Sequence, residues 1–243
     1  MWKRKIIDCV NSMMLPLGIS IYKYGFDMSA ALKRIRHHHF EISSIIDIGA
    51  SNGKWSKMAL KIFHNAKVLA IEPLEERKID LDQLKKKSNR FNYALCAAGE
   101  LDNTSATIIV TEDLDGSTVT QSKNLSGKKR DIKISTIDSI VSSNKYKGPY
   151  LIKFDTHGYE IPILKGASNI LNDTNVIIME VYNYQITTES LLFFQMVEYL
   201  MNLGFRCFDV ADPMLRPKDK VFWQMDLFFT RSNDPIFLDK EYH

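Results

Sequence analysis

The chain has 243 residues, enough for one sizeable core, and with 45% apolar and 25% charged residues it is neither a disordered nor a collagen-like chain. Lys and Arg exceed Asp and Glu by only three (32 against 29), which leaves no basic surface for a nucleic acid. Cys9, Cys96 and Cys207 form no CxxC pair, no apolar run reaches the roughly 20 residues of a membrane helix, and no small-residue cleavage site follows the start, so a cytoplasmic protein with reduced thiols is expected.

The opening "MWKRKIIDCVNSMMLPLGISIYKYG" sets Lys3, Arg4 and Lys5 among Ile6, Ile7, Val10, Met13, Met14 and Leu15, a spacing that predicts an amphipathic helix stopped near Pro16. Its first role is to pack on the body; peripheral contact with a membrane surface is the second. The run His37 to His39 reads as a solvated stretch, because adjacent side chains fan apart. Residues 1–42 are therefore expected to form an N-terminal helical segment and residues 43–243 the main domain.

From residue 43 short apolar runs alternate with helical patterns, the order of a sheet covered by helices. "SIIDIG" is the first strand, "KWSKMALKIF" a helix, "KVLAIEP" the second strand, "EERKIDLDQLKKK" a helix and "FNYALCAA" the third strand. "SATIIVTED" and "RDIKIST" are strands of an insertion, separated by a polar stretch in which Asp113, Asp115 and Gly116 read as a turn and not a calcium loop. "GPYLIKFDT" and "TNVIIMEVY" are the fourth and fifth strands, "ESLLFFQMVEYLMNLG" is a long helix stopped by Gly204, and "FRCFDV" and "WQMDLFFTR" close the sheet.

The turn "DIGASNG" after the first strand lies where an open parallel sheet binds its ligand. A phosphate loop needs GxxxxGK[ST], but Trp55 follows Lys54; a dinucleotide loop wants GxGxxG, but Ser51 takes the second glycine's place. What remains is an acid, Asp47, followed by Gly49, Ser51 and Gly53, an order that resembles the first motif of S-adenosylmethionine methyltransferases. Glu72, closing the second strand about 20 residues later, is placed to accept both hydroxyls of a ribose. A nicotinamide-dependent oxidoreductase or a non-enzymatic glycan-binding protein on the same fold are the alternatives.

In order along residues 43–231, "IIDIGASNGKWS", "AIEP", "NYALCAAGE", "ISTIDSI", "LIKFDTHGYEIPILKGA" and "IIMEVYN" are similar to motifs of the FkbM family of methyltransferases. The resemblance implies an α/β class I methyltransferase (Rossmann-like) fold, a mostly parallel seven-stranded sheet with the last strand antiparallel and helices on both faces. It implies methyl transfer from S-adenosylmethionine to a hydroxyl of a sugar, glycan or related metabolite. Its cofactor set is Asp47, Gly49, Ala50, Ser51, Asn52, Gly53, Ser56, Glu72, Pro73, Ala94, Leu95 and Asp155. Where the family frequently carries an acid, this chain has His157, two residues past Asp155.

A hydroxyl is a poor nucleophile until its proton leaves, so Asp155 and His157 are the expected catalytic pair, with His157 as general base. No metal is expected, and a magnesium or calcium ion on Asp155 and Glu180 is the competing arrangement. Lys153 shares a strand face with Asp155 and needs an acid partner, for which Glu180 is the expected one. Acceptor contacts are assigned to Glu180, Tyr182, Asn183, Arg216 and Trp223, with Tyr184 and Asp212 beside them.

Overall fold

A computed structural model describes residues 25–120 and 127–241; nearly all of the N-terminal segment assigned to helix and membrane contact, Cys9 included, lies outside the described residues. Helix α1 (Met28–His37) leads to β1 (Ser44–Ile48), α2 (Lys54–Ile62), β2 (Lys67–Glu72), a 3₁₀ turn at Glu75–Arg77, α3 (Lys78–Lys87) and β3 (Phe91–Leu95). The insertion supplies β4 (Ala97–Ala98), β5 (Thr104–Val110), β6 (Thr118–Thr120) and β7 (Lys128–Ser135). Then come α4 (Ile137–Ser143), β8 (Tyr150–Phe154), α5 (Glu160–Lys165), α6 (Ser168–Asn172), β9 (Thr174–Tyr182), α7 (Phe193–Asn202), β10 (Phe205–Leu215) and β11 (Phe222–Arg231). Among the described residues no helix is long and apolar enough to cross a membrane.

The main sheet runs β10-β11-β9-β8-β1-β2-β3 and is mixed: β11 is antiparallel to β9 and β10, while the other pairs are parallel. All five residues of β1 and all five of β8 are buried, as strands covered on both faces must be. The two-residue period sends Ile46, Ile48, Ile152 and Phe154 to one core, shared with α4, α5, α6 and α7. Ile45 and Leu151 go to the other, where Leu32 and Ile35 of α1, Ala59 and Leu60 of α2 and Leu81 of α3 meet them. Helix α1 thus belongs to the packed body although it precedes residue 43; the Arg34–Asp209 ion pair at 2.7 Å ties it to β10.

Two elements differ from the sequence reading. The third strand splits at Cys96, so that β3 stays in the main sheet while Ala97 and Ala98 turn away to pair with β7 in a second sheet, ordered β4-β7-β5-β6. Helix α7 starts four residues later than the sequence reads, because Thr187 and Ser190 bond each other's backbone N–H groups at 3.0 Å and hold 187–190 in a turn. It ends where expected, with Gly204 at φ 84°.

The chain goes from β1 outward to β2 and β3 and returns to place β8 on β1's other side, so the strand order reverses between β1 and β8. A ligand crevice forms at the carboxyl ends of such a pair. The two ends touch: a Cβ on Gly49 would lie 1.9 Å from the Asp155 carbonyl oxygen, and Gly49 itself sits at φ 77°. Gly49→Ala therefore combines left-handed strain with a backbone clash and is expected to cost about 3 kcal/mol or more. Gly204→Ala, at φ 84° with nothing within 4 Å, should lose only the strain, about 1 to 2 kcal/mol. Urea unfolding of the two variants checks the difference.

Candidate active site

The first turn is built from alternating backbone signs: Gly49, Ser51 and Gly53 all have positive φ, and Gly53 caps α2 in the left-handed region. Asn52 Oδ1 accepts from the Lys54 N–H at 3.1 Å and satisfies one free donor of that helix start. Glu72 anchors the turn. Its Oε2 accepts from Ser51 N at 2.7 Å and its Oε1 from Leu74 N at 2.9 Å. A carboxylate has about four lone-pair positions, so two remain for a ligand. Burial pushes the Glu72 carboxyl up to about 7 against the pull of those two donors.

A cavity of about 300 Å³ opens over this turn. Gly49, Ser51, Glu72, Pro73, Asp155, His157 and Glu180 line it from the strand ends, the first five being residues that the resemblance assigns to the cofactor. The remaining cofactor candidates are set back from the lining. Asp47 is fully buried and takes the Ser56 hydroxyl at 2.6 Å, leaving its Oδ1 without a partner. Ala50, Asn52 and Gly53 serve the turn and helix start, and at the third strand the wall is Cys96, Ala97 and Ala98 in place of Ala94 and Leu95.

The far wall was not foreseen. Ile108 of β5, Val119 of β6 and the loop residues Leu114, Asp115 and Ser117 roof the cavity. Asp115 receives the Ser51 hydroxyl at 2.7 Å and pairs with Arg77, which ties the roof to the first turn. The only sequence signal was the apolar alternation of β5, which any half-buried strand shares.

At the end of β8, Lys153 is buried and donates to Asp155 Oδ2. Its partner is therefore Asp155 and not Glu180, because two residues along a strand bring side chains to one face while Glu180 is held elsewhere. Burial disfavours the ammonium, but Asp155, Asp47 and Asp226 outweigh it and raise the Lys153 pKa. Asp155 feels the converse: burial pulls its carboxyl up, and Lys153 and His157 bring it below the usual range. Asp47 stays raised by burial. Glu180 takes the Tyr182 hydroxyl at 2.5 Å and the Gln224 amide; burial and the nearby Asp155 charge push it up to about 9. Burial raises Asp226, which pairs across the sheet with Glu180, to about 7.

His157 has left-handed backbone at φ 52°, held from both sides. Its carbonyl accepts from Thr118 Oγ1 at 2.7 Å, while Glu160 Oε1 accepts from Thr156 Oγ1 at 3.0 Å and Gly158 N at 2.8 Å. Glu160 thus braces the histidine loop. The ring's Nε2 lies 3.7 Å from Asp155 Oδ1 and 3.6 Å from Glu180 Oε2.

His157 also lines a second cavity, of about 330 Å³, with Thr118, Tyr182, Thr187, Trp223 and Gln224. Behind Trp223 stands Tyr184, with ring centroids 5.0 Å apart, and Arg216 lies over Tyr184 at 4.5 Å. Of the expected acceptor residues, Tyr182 and Trp223 face this cavity and Glu180 the first one. Asn183 is spent on backbone bonds to Phe222 and Trp223. Asp212 accepts from Met28 N at 3.2 Å, at the start of α1.

Residues 47–207 match the model of the methyltransferase FkbM domain. The chain belongs to the FkbM methyltransferase family. Among solved structures it is similar to the methyltransferase FkbM of Methylobacillus flagellatus, at 20% identity with a TM-score of 0.50. That likeness covers 77% of this chain and shows the fold; the chain spans only 43% of that protein's length. A weaker likeness, 12% identity and TM-score 0.47 over 84% of this chain and 78% of the other, is to the 1,6-didemethyltoxoflavin-N1-methyltransferase of Burkholderia thailandensis. No curated protein matches the chain significantly.

In this FkbM-family chain a single buried ammonium faces Asp155, Asp47 and Asp226. Removing it in Lys153→Met leaves those carboxylates uncompensated, which is expected to cost about 3 to 5 kcal/mol. The carboxyls of Asp47 and Asp226 stand above the usual range, so each binds its proton more tightly in the folded chain than in the unfolded one. Stability then falls as pH rises through their folded pKa values, and the variant's loss should be larger at about pH 8 than at about pH 5. Chemical denaturation at the two pH values tests this.

Proposed function

We propose that the chain is an S-adenosylmethionine-dependent O-methyltransferase that acts on a hydroxyl of a sugar, glycan or related polyhydroxylated metabolite. The observation that carries the reading is the meeting of two cavities at His157: one over the glycine turn and Glu72, the other walled by Tyr182 and Trp223. Donor and acceptor in these two spaces would face each other at one point, which is what an in-line displacement needs.

The residues present suit the cofactor. Glu72 keeps two acceptor positions for the ribose hydroxyls. Asp47 Oδ1, buried and unpartnered, is left for an ammonium reached through a water. The Lys153 charge is taken up by Asp155, with Asp47 and Asp226 near it. Bound S-adenosylmethionine supplies a methyl on a cationic sulfonium, an ammonium, and a neutral thioether as leaving group. The aromatic wall of Tyr182 and Trp223, backed by Tyr184, suits the faces of a sugar ring, and the Asp155–His157–Glu180 group lies where the acceptor's proton must depart.

Titration calorimetry separates this reading from a nicotinamide enzyme: S-adenosylmethionine should bind and NAD should not, and the reverse would end the proposal. Glu72→Ala should weaken cofactor binding by roughly 1.5 to 3 kcal/mol, the loss expected for hydrogen bonds to a charged group. Because the ionised carboxylate is the better acceptor and Glu72 titrates at about 7, wild-type affinity should rise between about pH 6 and 8, and the variant should lack that step. His157→Ala should lower methyl transfer from labelled cofactor to a panel of sugars and glycans by about 10²- to 10⁴-fold, while cofactor affinity changes little.

A further inference from the structure

We propose that Asp155, His157 and Glu180 form a binding site for one divalent first-row metal ion, for which Mn²⁺ is the probe. One donor atom from each residue lies within 4.8 Å of the other two, and among the described residues no other three such groups converge in this way. The separations of 3.7 Å and 3.6 Å from the imidazole Nε2 to the two carboxylates are too long for hydrogen bonds. They approach the roughly 3 to 3.5 Å between neighbouring ligands of a metal held at about 2.0 to 2.2 Å, so a small inward movement of the side chains brings three donors to an ion and leaves its other positions open. One imidazole and two carboxylates suit an ion that accepts both nitrogen and oxygen, which favours Mn²⁺ over Mg²⁺ or Ca²⁺.

A second set of contacts orients these ligands. The Lys153 ammonium takes Asp155 Oδ2 and leaves Oδ1 on the histidine side; Tyr182 and Gln224 each donate to Glu180. Hydrogen bonds of this kind behind ligating carboxylates fix their direction. The His157 loop is braced by Glu160 through Thr156 and Gly158, and by Thr118 through the His157 carbonyl. Asp226 stands opposite Glu180 in the sheet, and Lys153 is a cation near it.

The position gives the ion its use. The three residues line the first cavity, and His157 reaches into the second, so a metal there stands between methyl donor and acceptor. This consequence rests on the methyl-transfer reading. An acceptor hydroxyl bound to the ion ionises more readily and releases its proton to water. The oxygen then bonds to the methyl carbon as the carbon–sulfur bond breaks, and the bonding pair stays on sulfur as the neutral thioether. On this account His157 acts as ligand, and its loss removes the ion that activates the hydroxyl.

The test is direct binding of Mn²⁺ to the full chain, stripped with EDTA and followed by electron paramagnetic resonance. One ion per chain is expected, weakened about 10- to 100-fold or more in His157→Ala and in Glu180→Gln, and unchanged in Glu76→Gln, whose carboxylate pairs with Arg130 and is no part of the group. Hyperfine coupling to an imidazole nitrogen in the wild-type chain reads the histidine ligand without any variant. Absence of saturable binding, equal affinity in both site variants, or absence of nitrogen coupling overturns the proposal. Calorimetric titration with S-adenosylmethionine alone keeps the two readings apart: cofactor binding without Mn²⁺ binding sinks the metal only, and Mn²⁺ binding without cofactor binding sinks the methyl-transfer reading only.

Discussion

The crevice depends on one buried charge. Lys153 is 3% exposed and lies in the middle of the sheet, where an unpaired ammonium is too costly to persist. Its bond to Asp155 pins the end of β8, and Asp155's own carbonyl fits against the hydrogen of Gly49. The Trp55 ring under the ammonium, 5.5 Å from its centroid to Nζ, links α2 to the same point. Remove the charge and the acids around it lose their reason to remain ionised together; the glycine turn, the histidine loop and the sheet's reversal point are all arranged about it.

Much of this was legible in the sequence because it is local. The passage from three isoleucines to Gly49 and Gly53 announces a strand that ends in a tight turn, and Glu72 sits at the end of the next apolar run. Lys153, Asp155 and His157 lie within five residues, so their nearness needs no knowledge of topology. The two-residue period already put Asp155 on Lys153's face, and a partner on the neighbouring strand was the less economical choice.

What escaped was what depends on strand order or on two distant segments meeting. Glu180 was assigned to the crevice from its place at the end of the next strand, but Asp226 joins the group only because β11 inserts antiparallel next to β9. The roof is harder still: Ile108 and Val119 look like any strand residues until β4 leaves the main sheet at Cys96 and carries the insertion over the cavity. The late start of α7 turns on reciprocal hydroxyl bonds between Thr187 and Ser190, which helical periodicity does not register.

The roof has one further property. Its tie to the glycine turn runs through Asp115, whose side chain is 66% exposed, to Arg77 and the Ser51 hydroxyl. The carboxylate is open to water while the Arg77 side chain is 12% exposed, so salt screens the pair from the Asp115 side. The tie between roof and glycine turn is therefore sensitive to ionic strength in a way that the two packed cores beneath it are not.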